Sequence, residues 1–270
     1  MIKEKTEESA SIRHKILRVD LRRKSAQQFM DEVVLESQVS LYINGSHYSV
    51  MTVTPFEIKE LSIGHLMAEG IISNLHEILE LKISKERVDV QLSKESPMEK
   101  TRIIPAECGS GKKKIPPRIW MKPKKPSSVR FTPKAIIEAA KNLNFSAETY
   151  RKTGGTHAAA LIDNQGRILA VSEDISRHSA VDKAIGKALL QGLDFKEMFL
   201  ASSGRITSDI VIKAANAGIP LIVSISAPTD KGIKLAEMMG LTLIGFARGK
   251  RFNIYAHPER IDFDFWIKSK

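Results

Sequence analysis

The fold is decided by residues 198–249, which read MFLASSGRITSDIVIKAANAGIPLIVSISAPTDKGIKLAEMMGLTLIGFARG. Short apolar runs in this stretch alternate with segments whose apolar residues recur at helical spacing. The pattern predicts strands at 198–201, 221–225 and 241–246, separated by helices at 208–217 and 231–239. Strands and helices that alternate in this way are typical of a three-layer α/β domain.

The flanking sequence extends this domain in both directions. The same patterns predict a helix at 132–143 that begins with Thr132-Pro133, a β-hairpin of strands 158–162 and 168–171 about Asn164-Gln165-Gly166, a helix at 180–190 and a last strand at 252–255. We therefore predict an α/β/α domain over residues 131–270.

The N-terminal third has a different pattern. Strands at 33–35 and 39–43, closed by Asn44-Gly45, are followed by a stretch of helical period at 54–72. Its helix has Thr54 as the predicted N-cap, Pro55 as the first residue and Gly70 as the stop. Alternating apolar residues at 79–92 then predict further strands. Residues 12–104 are thus expected to form a smaller mixed β domain, which makes the whole chain α/β, or α+β overall.

Two segments fit neither domain. Residues 1–11 are charged and have little to bury, so we expect a disordered N-terminus. Residues 105–130 are rich in Lys, Pro, Gly and Ser and are expected to form a mobile basic loop between the domains. A segment of this composition can also be a surface linker without chemistry.

Composition restricts the class of protein. The 270 residues include 42 Lys and Arg against 31 Asp and Glu, and the formal net charge of +11 favours anionic partners. One cysteine cannot form an internal disulfide, and the N-terminus lacks the apolar core of a secretory signal. No apolar run reaches the roughly 20 residues that cross a bilayer. We expect a cytoplasmic protein with no membrane partner and, without a zinc-finger or helix-turn-helix pattern, no nucleic acid partner.

The single cysteine, Cys108, is the candidate nucleophile. It lies in Glu107-Cys108-Gly109-Ser110-Gly111-Lys112, where glycines leave the sulfur accessible and lysines follow at once. Nearby positive charge favours the thiolate, which is the reactive form. A flexible basic loop of this kind suits a residue that collects sulfur from one protein and delivers it to another pocket. The alternative is a small buried apolar residue. No metal site is predicted, because no second cysteine exists to complete a zinc ligand set.

Two segments near the start of the α/β/α domain are candidate anion-binding sites. Thr153-Gly154-Gly155-Thr156-His157 presents nearly bare backbone amides, which can bind an anion or only make a tight turn into a strand. Glu173 to Ser179 precede a helix, so that Arg177, His178 and the first helical amides can meet a phosphate or carboxylate. The same segment can instead be an N-cap with a local Asp-Arg ion pair.

Two later segments extend the candidate site. Ser203-Gly204-Arg205 follow a strand at its carboxyl end, which is where open α/β sheets bind ligands. The final segment comprises Phe246, Ala247, Arg248, Gly249, Lys250 and Arg251. It suits the binding of a polyphosphate, and the alternative is a solvated basic hairpin.

Taken in order, these segments resemble the FdhD family of formate dehydrogenase accessory sulfurtransferases. The resemblance covers residues 12–261, includes Glu173-Asp174-Ile175-Ser176-Arg177-His178-Ser179-Ala180-Val181-Asp182-Lys183, and is most specific in the block from Arg177 to Lys183. It implies a sulfur carrier that moves persulfide sulfur from a cysteine desulfurase to the molybdenum or tungsten bis(molybdopterin guanine dinucleotide) cofactor, before that cofactor enters formate dehydrogenase. It also implies a cytidine deaminase-like fold and a homodimer, with Cys108 as the persulfide cysteine and Phe246 to Arg251 in the cofactor-binding segment.

The chain departs from the family pattern at its cysteine motif. The family has Cys-Gly-x-Cys-Gly, whereas Gly111 and Lys112 occupy the last two positions here. Ser176 and Ser179 stand where the family usually has Gly and Asn. A persulfide carrier needs one thiol, so sulfur transfer remains the leading hypothesis. The alternative is a chaperone that binds the cofactor without moving sulfur.

Overall fold

The computed structural model describes residues 9–93, 102–104 and 129–263. Its strands are β1 (Ser11–Asp20), β2 (Ser25–Val34), β3 (Ser37–Ile43), β4 (Ser46–Val53), β5 (Ile78–Ser84), β6 (Arg87–Leu92), β7 (Arg102–Ile104), β8 (His157–Asp163), β9 (Ile168–Asp174), β10 (Met198–Ser202), β11 (Leu221–Ser224), β12 (Thr242–Arg248) and β13 (Arg251–Ala256). Its α-helices are α1 (Ile58–Ala68), α2 (Pro133–Ser146), α3 (Glu148–Thr153), α4 (Arg177–Leu190), α5 (Ser208–Ala217) and α6 (Asp230–Met239).

The larger sheet has six strands in the order β13-β12-β11-β10-β8-β9. Strands β10, β11 and β12 are parallel and are joined by α5 and α6, whereas the other pairings are antiparallel. The strands and helices predicted within residues 198–249 are therefore confirmed. Each lies within two residues of its predicted bounds, because apolar periodicity and turn residues agree at every element.

Helices cover both faces of this sheet. Leu200 and Ile222 point into one hydrophobic cluster with α4, α5 and α6, while the neighbouring Phe199 and Leu221 point into a second cluster with α2. The Phe199 ring meets the ring of Phe131 edge to face, with 5.2 Å between centroids. Strand residues alternate between the two clusters because successive side chains leave a strand on opposite faces. The three-layer α/β/α architecture is confirmed.

The smaller sheet has five strands in the order β5-β6-β3-β4-β7, and α1 packs between it and α4. The two helices approach at glycines. A Cβ atom on Gly64 would lie 1.7 Å from the Asp182 carbonyl oxygen, and one on Gly186 would lie 1.9 Å from that of Glu60. Side chains at these positions would push the helices apart, so Gly64 and Gly186 bring the backbones of both parts of the chain into direct contact.

The start of α1 differs from the prediction. The helix begins at Ile58 after Glu57, whose φ of 54° is left-handed. Thr54 is not its N-cap, and that prediction is wrong. The Thr54 side chain is fully buried and instead binds Asp174 and Lys183 from the larger domain. Long-range hydrogen bonds with Asp174 and Lys183 therefore take the place of the predicted local capping interaction.

The sequence patterns missed a long β-hairpin, β1–β2, which we call the arm (Ser11–Val34). Ten residue pairs join its two strands, and within residues 9–93, 102–104 and 129–263 no third strand extends this sheet. Large apolar side chains are exposed along it, including Leu17 at 64% and Leu21 at 85%. Its apolar and polar residues do not alternate, so the period that signals a half-buried strand is absent.

Several predictions lie outside the described residues. Cys108 and Lys112 to Lys114 are among them, as are most of the predicted 105–130 loop and the first eight residues. The predicted domain boundaries therefore stay predictions. Within the described part of the chain, no helix is long and apolar enough to cross a membrane.

Candidate functional site

Most of the candidate binding residues lie along one edge of the six-stranded sheet. The parallel strands β10, β11 and β12 all end there, and β9 ends beside them, while β8 and β13 begin there. We call the following residues the edge site: His157, Arg177, His178, Ser203, Gly204, Arg205 and Phe246–Arg251. Adjacent strands are about 4.8 Å apart, so the β8 and β12 ends of the edge site are separated by roughly 14 Å.

At the β8 end, the turn after β10 is fixed by hydrogen bonds. The Ser203 hydroxyl accepts a bond from the Ala158 amide at 3.0 Å and lies 3.3 Å from His157 Nδ1. The Ser203 amide in turn donates to the Ala158 carbonyl. Gly204 has no room for a side chain, because its Cβ would lie 2.8 Å from the Cβ of Arg177. The prediction that Ser203 to Arg205 lie at a strand's carboxyl end is confirmed.

The electrostatics of His157 reflect the cations around it. Burial lowers the pKa of His157, and the positive charges of Arg177 and Arg205 lower it further, while Asp174 raises it in part. A histidine whose usual pKa is about 6.5 is therefore neutral at pH 7. The β8 end of the edge site thus holds two guanidinium groups beside an uncharged imidazole, which favours an anionic ligand.

Helix α4 begins at Arg177, three residues before the predicted start, so Arg177 and His178 lie in its first turn. Arg177 is buried, and His178 Nε2 lies 4.0 Å from a carboxylate oxygen of Asp209 in α5. Ser176 occupies the N-cap position, yet its side chain makes no capping bond. The helix N-terminus and the Arg177 guanidinium lie at the same edge, as the anion-site hypothesis requires.

Gly154 and Gly155 fit the tight-turn alternative better than the anion-binding one. The Gly154 amide donates to the Tyr150 carbonyl as the C-cap of α3, and the Gly155 amide donates to the Thr153 hydroxyl. A Cβ atom on Gly155 would lie 2.5 Å from Val34 at the base of the arm. Both amides are engaged inside the protein, which favours the tight turn, and the assignment of Gly154 and Gly155 to the binding site stays a prediction.

The loop at 225–229, which was not among the predicted site residues, links the two ends of the edge site. The Ala227 carbonyl accepts from the Ile206 amide, and the Ser226 carbonyl accepts from the Phe246 amide. The Ser224 hydroxyl donates to the Gly204 carbonyl at 2.7 Å. This loop follows β11 at its carboxyl end, so the topological argument applied to Ser203 would also have found it.

At the β12 end, residues 246–251 form a bulged basic hairpin. Phe246 has a φ of 53°, which is rare for a residue with a side chain. The neighbouring Gly245 lies close to Pro228, and a Cβ on this glycine would lie 2.8 Å from the proline Cδ. The exposed Arg248 and Arg251 are direct cross-strand partners. Like charges placed opposite each other are destabilising unless an anion lies between them.

Behind the edge site lies a buried group that we call the Lys183 cluster: Lys183, Asp174 and Thr54. The Lys183 ammonium lies 2.7 Å from a carboxylate oxygen of Asp174 and donates to the Thr54 hydroxyl at 2.8 Å. The side chains of Lys183 and Asp174 are fully buried. Burial lowers the pKa of Lys183, although Asp174 opposes that shift. The Asp174 carboxylate also accepts from the Ser176 amide at 2.8 Å, directly before Arg177.

Among residues 9–93 and 129–263, no group of three or more His, Cys, Asp or Glu side chains could hold a metal ion. The edge site therefore offers cations, hydroxyls and amides but no cluster of metal ligands within that range. This set of groups can bind the phosphates of a nucleotide.

Comparison with known proteins gives a consistent result. Residues 34–262 match the model of the FdhD/NarQ family. The sulfur carrier protein FdhD of Methanothermobacter thermautotrophicus is 38% identical over 232 residues, which cover 86% of this chain and 92% of that protein. The protein of the same name from Bacillus subtilis is 35% identical over 238 residues, covering 86% and 90%.

A solved structure has the same fold. It is a protein from Desulfotalea psychrophila assigned as a formate dehydrogenase accessory protein, with a TM-score of 0.77 and 27% sequence identity. The match covers 94% of this chain and 100% of that one. The similarity thus includes the arm-bearing N-terminal part as well as the α/β/α domain.

Proposed function

The chain belongs to the FdhD/NarQ family, and we propose that it is a cytoplasmic sulfur carrier that serves formate dehydrogenase. Its sulfur donor is a cysteine desulfurase. Its cargo is the bis(molybdopterin guanine dinucleotide) cofactor of molybdenum or tungsten, bound as a substrate. The observation that carries the proposal is the basic edge site, with Arg177 and Arg205 at one end and the Arg248–Arg251 pair at the other.

The edge site suits a ligand with two separate phosphate groups. A bis-dinucleotide carries two pyrophosphates, and guanidinium groups bind such oxygens through paired, charge-assisted hydrogen bonds. A pyrophosphate beside Arg248 and Arg251 would relieve the repulsion between these exposed cross-strand partners. A second one beside Arg205 would also lie near the positive charge of Arg177, since both arginines act on the same residue, His157.

Sulfur is carried by Cys108 in this proposal. The Cys108 thiolate attacks the terminal sulfur of a donor persulfide, so that one S–S bond forms while the donor S–S bond breaks and the donor cysteine leaves as a thiolate. No net electrons are consumed in that step. Release of the sulfur as sulfide breaks the new S–S bond and consumes two electrons, which we assign to a thiol reductant.

Intact-mass measurement tests the sulfur step. After incubation with a cysteine desulfurase and cysteine, we expect the protein to gain one sulfur atom that a reductant removes, and we expect Cys108→Ala to gain none. Formate dehydrogenase matured with Cys108→Ala should be inactive. An unmodified wild-type protein, together with active enzyme matured by Cys108→Ala, would instead support a cofactor-binding chaperone without sulfur transfer.

Nucleotide binding tests the edge site separately. Arg251→Gln should weaken the binding of GDP by about tenfold, because one charged contact to phosphate is lost. Lys196→Gln is the matched control, since Lys196 is exposed just before β10, at the opposite edge of the sheet. Equal GDP affinities of both variants and the wild type would contradict this assignment of the cargo site.

A second copy of the chain is the partner we propose for the arm. An isolated two-stranded sheet is marginally stable in water, and the arm exposes apolar residues such as Leu17 and Met30. Strand β1 carries Arg13, Lys15 and Arg18, whereas the only charged residues of β2 are acidic. A two-fold axis can therefore place the basic strand of one arm against the acidic strand of the other.

Solution mass measurement tests the homodimer. We expect wild-type protein to be a dimer and Leu17→Ser with Met30→Ser to be a monomer. Leu79→Ser is the control, because Leu79 is as exposed as Leu17, at 64%, but lies in the five-stranded sheet. A monomeric wild type, or a dimer that survives both arm substitutions, would contradict this assignment.

A further inference from the structure

Lys183 occupies a position that links three parts of the molecule. Its ammonium donates to the Thr54 hydroxyl from the segment before α1 and lies 2.7 Å from Asp174 at the end of β9. The face of the Phe56 ring lies 4.1 Å from the same ammonium. Burying such a cation is unfavourable unless it is paired and hydrogen-bonded, and here a carboxylate, a hydroxyl and an aromatic face surround it.

The same aspartate holds the turn that carries Arg177. One Asp174 oxygen accepts from the Ser176 amide, and the other accepts from the Thr54 amide at 3.1 Å and the Thr54 hydroxyl at 2.9 Å. The carboxylate is therefore held from both sides, by Lys183 and Thr54 on one side and by the start of α4 on the other. The start of the Ser176-Arg177 turn is thus hydrogen-bonded to a carboxylate that Lys183 also contacts.

The Ser176-Arg177 turn packs against the edge site. The Arg177 side chain packs so closely on Gly204 that no Cβ fits there, and the charges of Arg177 and Asp174 both act on His157. Hydrogen bonds and electrostatic interactions thus connect Lys183 to His157 through Asp174 and the Ser176-Arg177 turn. None of these interactions involves Cys108.

We propose that Lys183 is a positioning residue for the edge site: it fixes Asp174, and through it the Ser176-Arg177 turn, so that Arg177 is held in place to meet an anionic ligand. Lys183 does not touch the ligand itself, because its side chain is fully buried. Its effect is to arrange a cation in advance, which reduces the ordering that binding would otherwise require. The identity of the ligand rests on the proposed function, whereas the positioning itself does not.

A second buried lysine provides the matched control. Lys213 in α5 is paired with Asp182 at 2.8 Å and with Glu69 at 3.2 Å, and its side chain is 6% exposed. Its ammonium donates to Asp182 and Glu69, neither of which belongs to the Ser176-Arg177 turn. Lys183→Met and Lys213→Met therefore remove the same ammonium group from two similar buried environments, only one of which leads to the edge site.

Two measurements on these variants test the proposal. The first is GDP affinity, which we expect Lys183→Met to reduce about tenfold and Lys213→Met to leave unchanged. The second is an NMR titration of the His157 imidazole, identified by the signal that His157→Gln removes. We expect the pKa of His157 to rise in Lys183→Met, because Asp174 then lacks its lysine, and to stay at the wild-type value in Lys213→Met.

Thr54→Val provides a milder variant in case Lys183→Met does not fold. It removes the hydroxyl that bridges Asp174 and Lys183 while keeping the shape of the side chain, and Thr242→Val is its control, since the Thr242 hydroxyl is buried against His257 and Arg260. Thr54→Val should shift GDP affinity and the pKa of His157 in the same directions, and Thr242→Val should shift neither.

The outcomes separate this proposal from the proposed function. If wild-type protein does not bind GDP, the cargo assignment fails, while the pKa of His157 in the variants still decides the role of Lys183. A folded Lys183→Met, or Thr54→Val, that keeps the wild-type pKa of His157 would overturn the proposal. Equal shifts in Lys213→Met and Lys183→Met would also overturn it, because a general loss of packing would then explain them.

Discussion

Lys183 and Lys213 are both buried and both paired with an aspartate, yet their pKa values shift in opposite directions. Burial lowers the pKa of each lysine. At Lys183 this effect outweighs the attraction of Asp174 and of two more distant glutamates, so the pKa is lowered. At Lys213 the attraction of Asp182 and Glu69 together outweighs burial, so the pKa is raised. The sign follows the carboxylates in direct contact with each ammonium, which are two at Lys213 and one at Lys183.

The two groups also differ in what they hold together. We call the second group the Lys213 cluster: Lys213, Asp182, Glu69 and His65. It joins α1, α4 and α5, and His65 Nδ1 lies 2.8 Å from Asp182 within it. The Lys183 cluster instead joins the segment before α1 to the end of β9 and the edge site. Similar buried ion pairs therefore lie between core helices in one place and behind the edge site in the other.

The largest expected effect is on the free energy of unfolding, which should fall by different amounts when each cluster loses its lysine. Removing one partner of a buried ion pair costs about 3–5 kcal/mol. The cost of Lys213→Met should lie near the upper end of this range, because the substitution leaves two carboxylates without their cation. Lys183→Met should lie near the lower end, because Asp174 keeps its bonds from Thr54 and Ser176. Urea unfolding measures both, and a larger loss for Lys183→Met would reverse our ranking of the clusters.

A substitution at the helix crossing should weaken both clusters together. Gly186→Ala would place a Cβ 1.9 Å from the Glu60 carbonyl oxygen and force α1 away from α4. Overpacking of this kind costs about 1–3 kcal/mol, and we expect the upper end because backbone meets backbone. Urea unfolding again provides the measurement, with the exposed Lys141→Ala in α2 as control. A wild-type stability for Gly186→Ala would show that the crossing is not tight.

Removing the Thr54 hydroxyl should reduce stability less than removing the charge of Lys183. Thr54→Val should cost about 1–2 kcal/mol, because Asp174 and Lys183 each lose one hydrogen-bond partner while the packing is kept. Thr242→Val loses two similar bonds, one to the His257 carbonyl and one from Arg260, and should cost about the same. Thermal or urea unfolding of the pair checks this. A loss confined to Thr242→Val would mean that the Thr54 hydroxyl contributes little.

The smallest expected effect is on the pH dependence of stability. The raised pKa of Lys213 gives stability that is complete below the ordinary lysine value of 10.5 and is lost as pH rises above it. The lowered pKa of Lys183 acts with the opposite sign, so stability from this group rises with pH up to 10.5. The cost of Lys213→Met should therefore shrink above pH 10.5, and the cost of Lys183→Met should grow as pH approaches it. Unfolding across this range in both variants checks the signs, and slopes of equal sign would contradict them.

Much of the fold could be predicted because its signals are local. The alternation in residues 198–249 reports the period of each element, and the caps and glycines mark the ends. The arm was missed because both of its faces are exposed and carry mixed residues, so that neither face has the apolar period of a half-buried strand. Thr54 was misassigned because its Thr-Pro pattern fits an N-cap, whereas its actual partner, Lys183, lies 129 residues away.

The candidate site was predicted to a similar extent. Ser203 and Arg205 follow one predicted strand, Phe246 ends another, and the topology places all three at one edge. The loop at 225–229 was not among the predicted site residues, and Gly154 and Gly155 were assigned to anion binding although their amides bind within the protein. Whether an amide is free depends on what the rest of the chain brings to it, which no local pattern contains.

The adjacent residues Asp182 and Lys183 show where the sequence stops being sufficient. Side by side in the chain, they suggest a local ion pair, and composition and periodicity alone determined that they lie on a helix of an α/β domain. Consecutive helical residues point about 100° apart. Asp182 therefore meets Lys213 and His65 in the core, while Lys183 meets Asp174 and Thr54 behind the edge site. Only the tertiary structure decided these pairings, because each partner comes from another element and the low polarity of the interior requires every buried charge to find one.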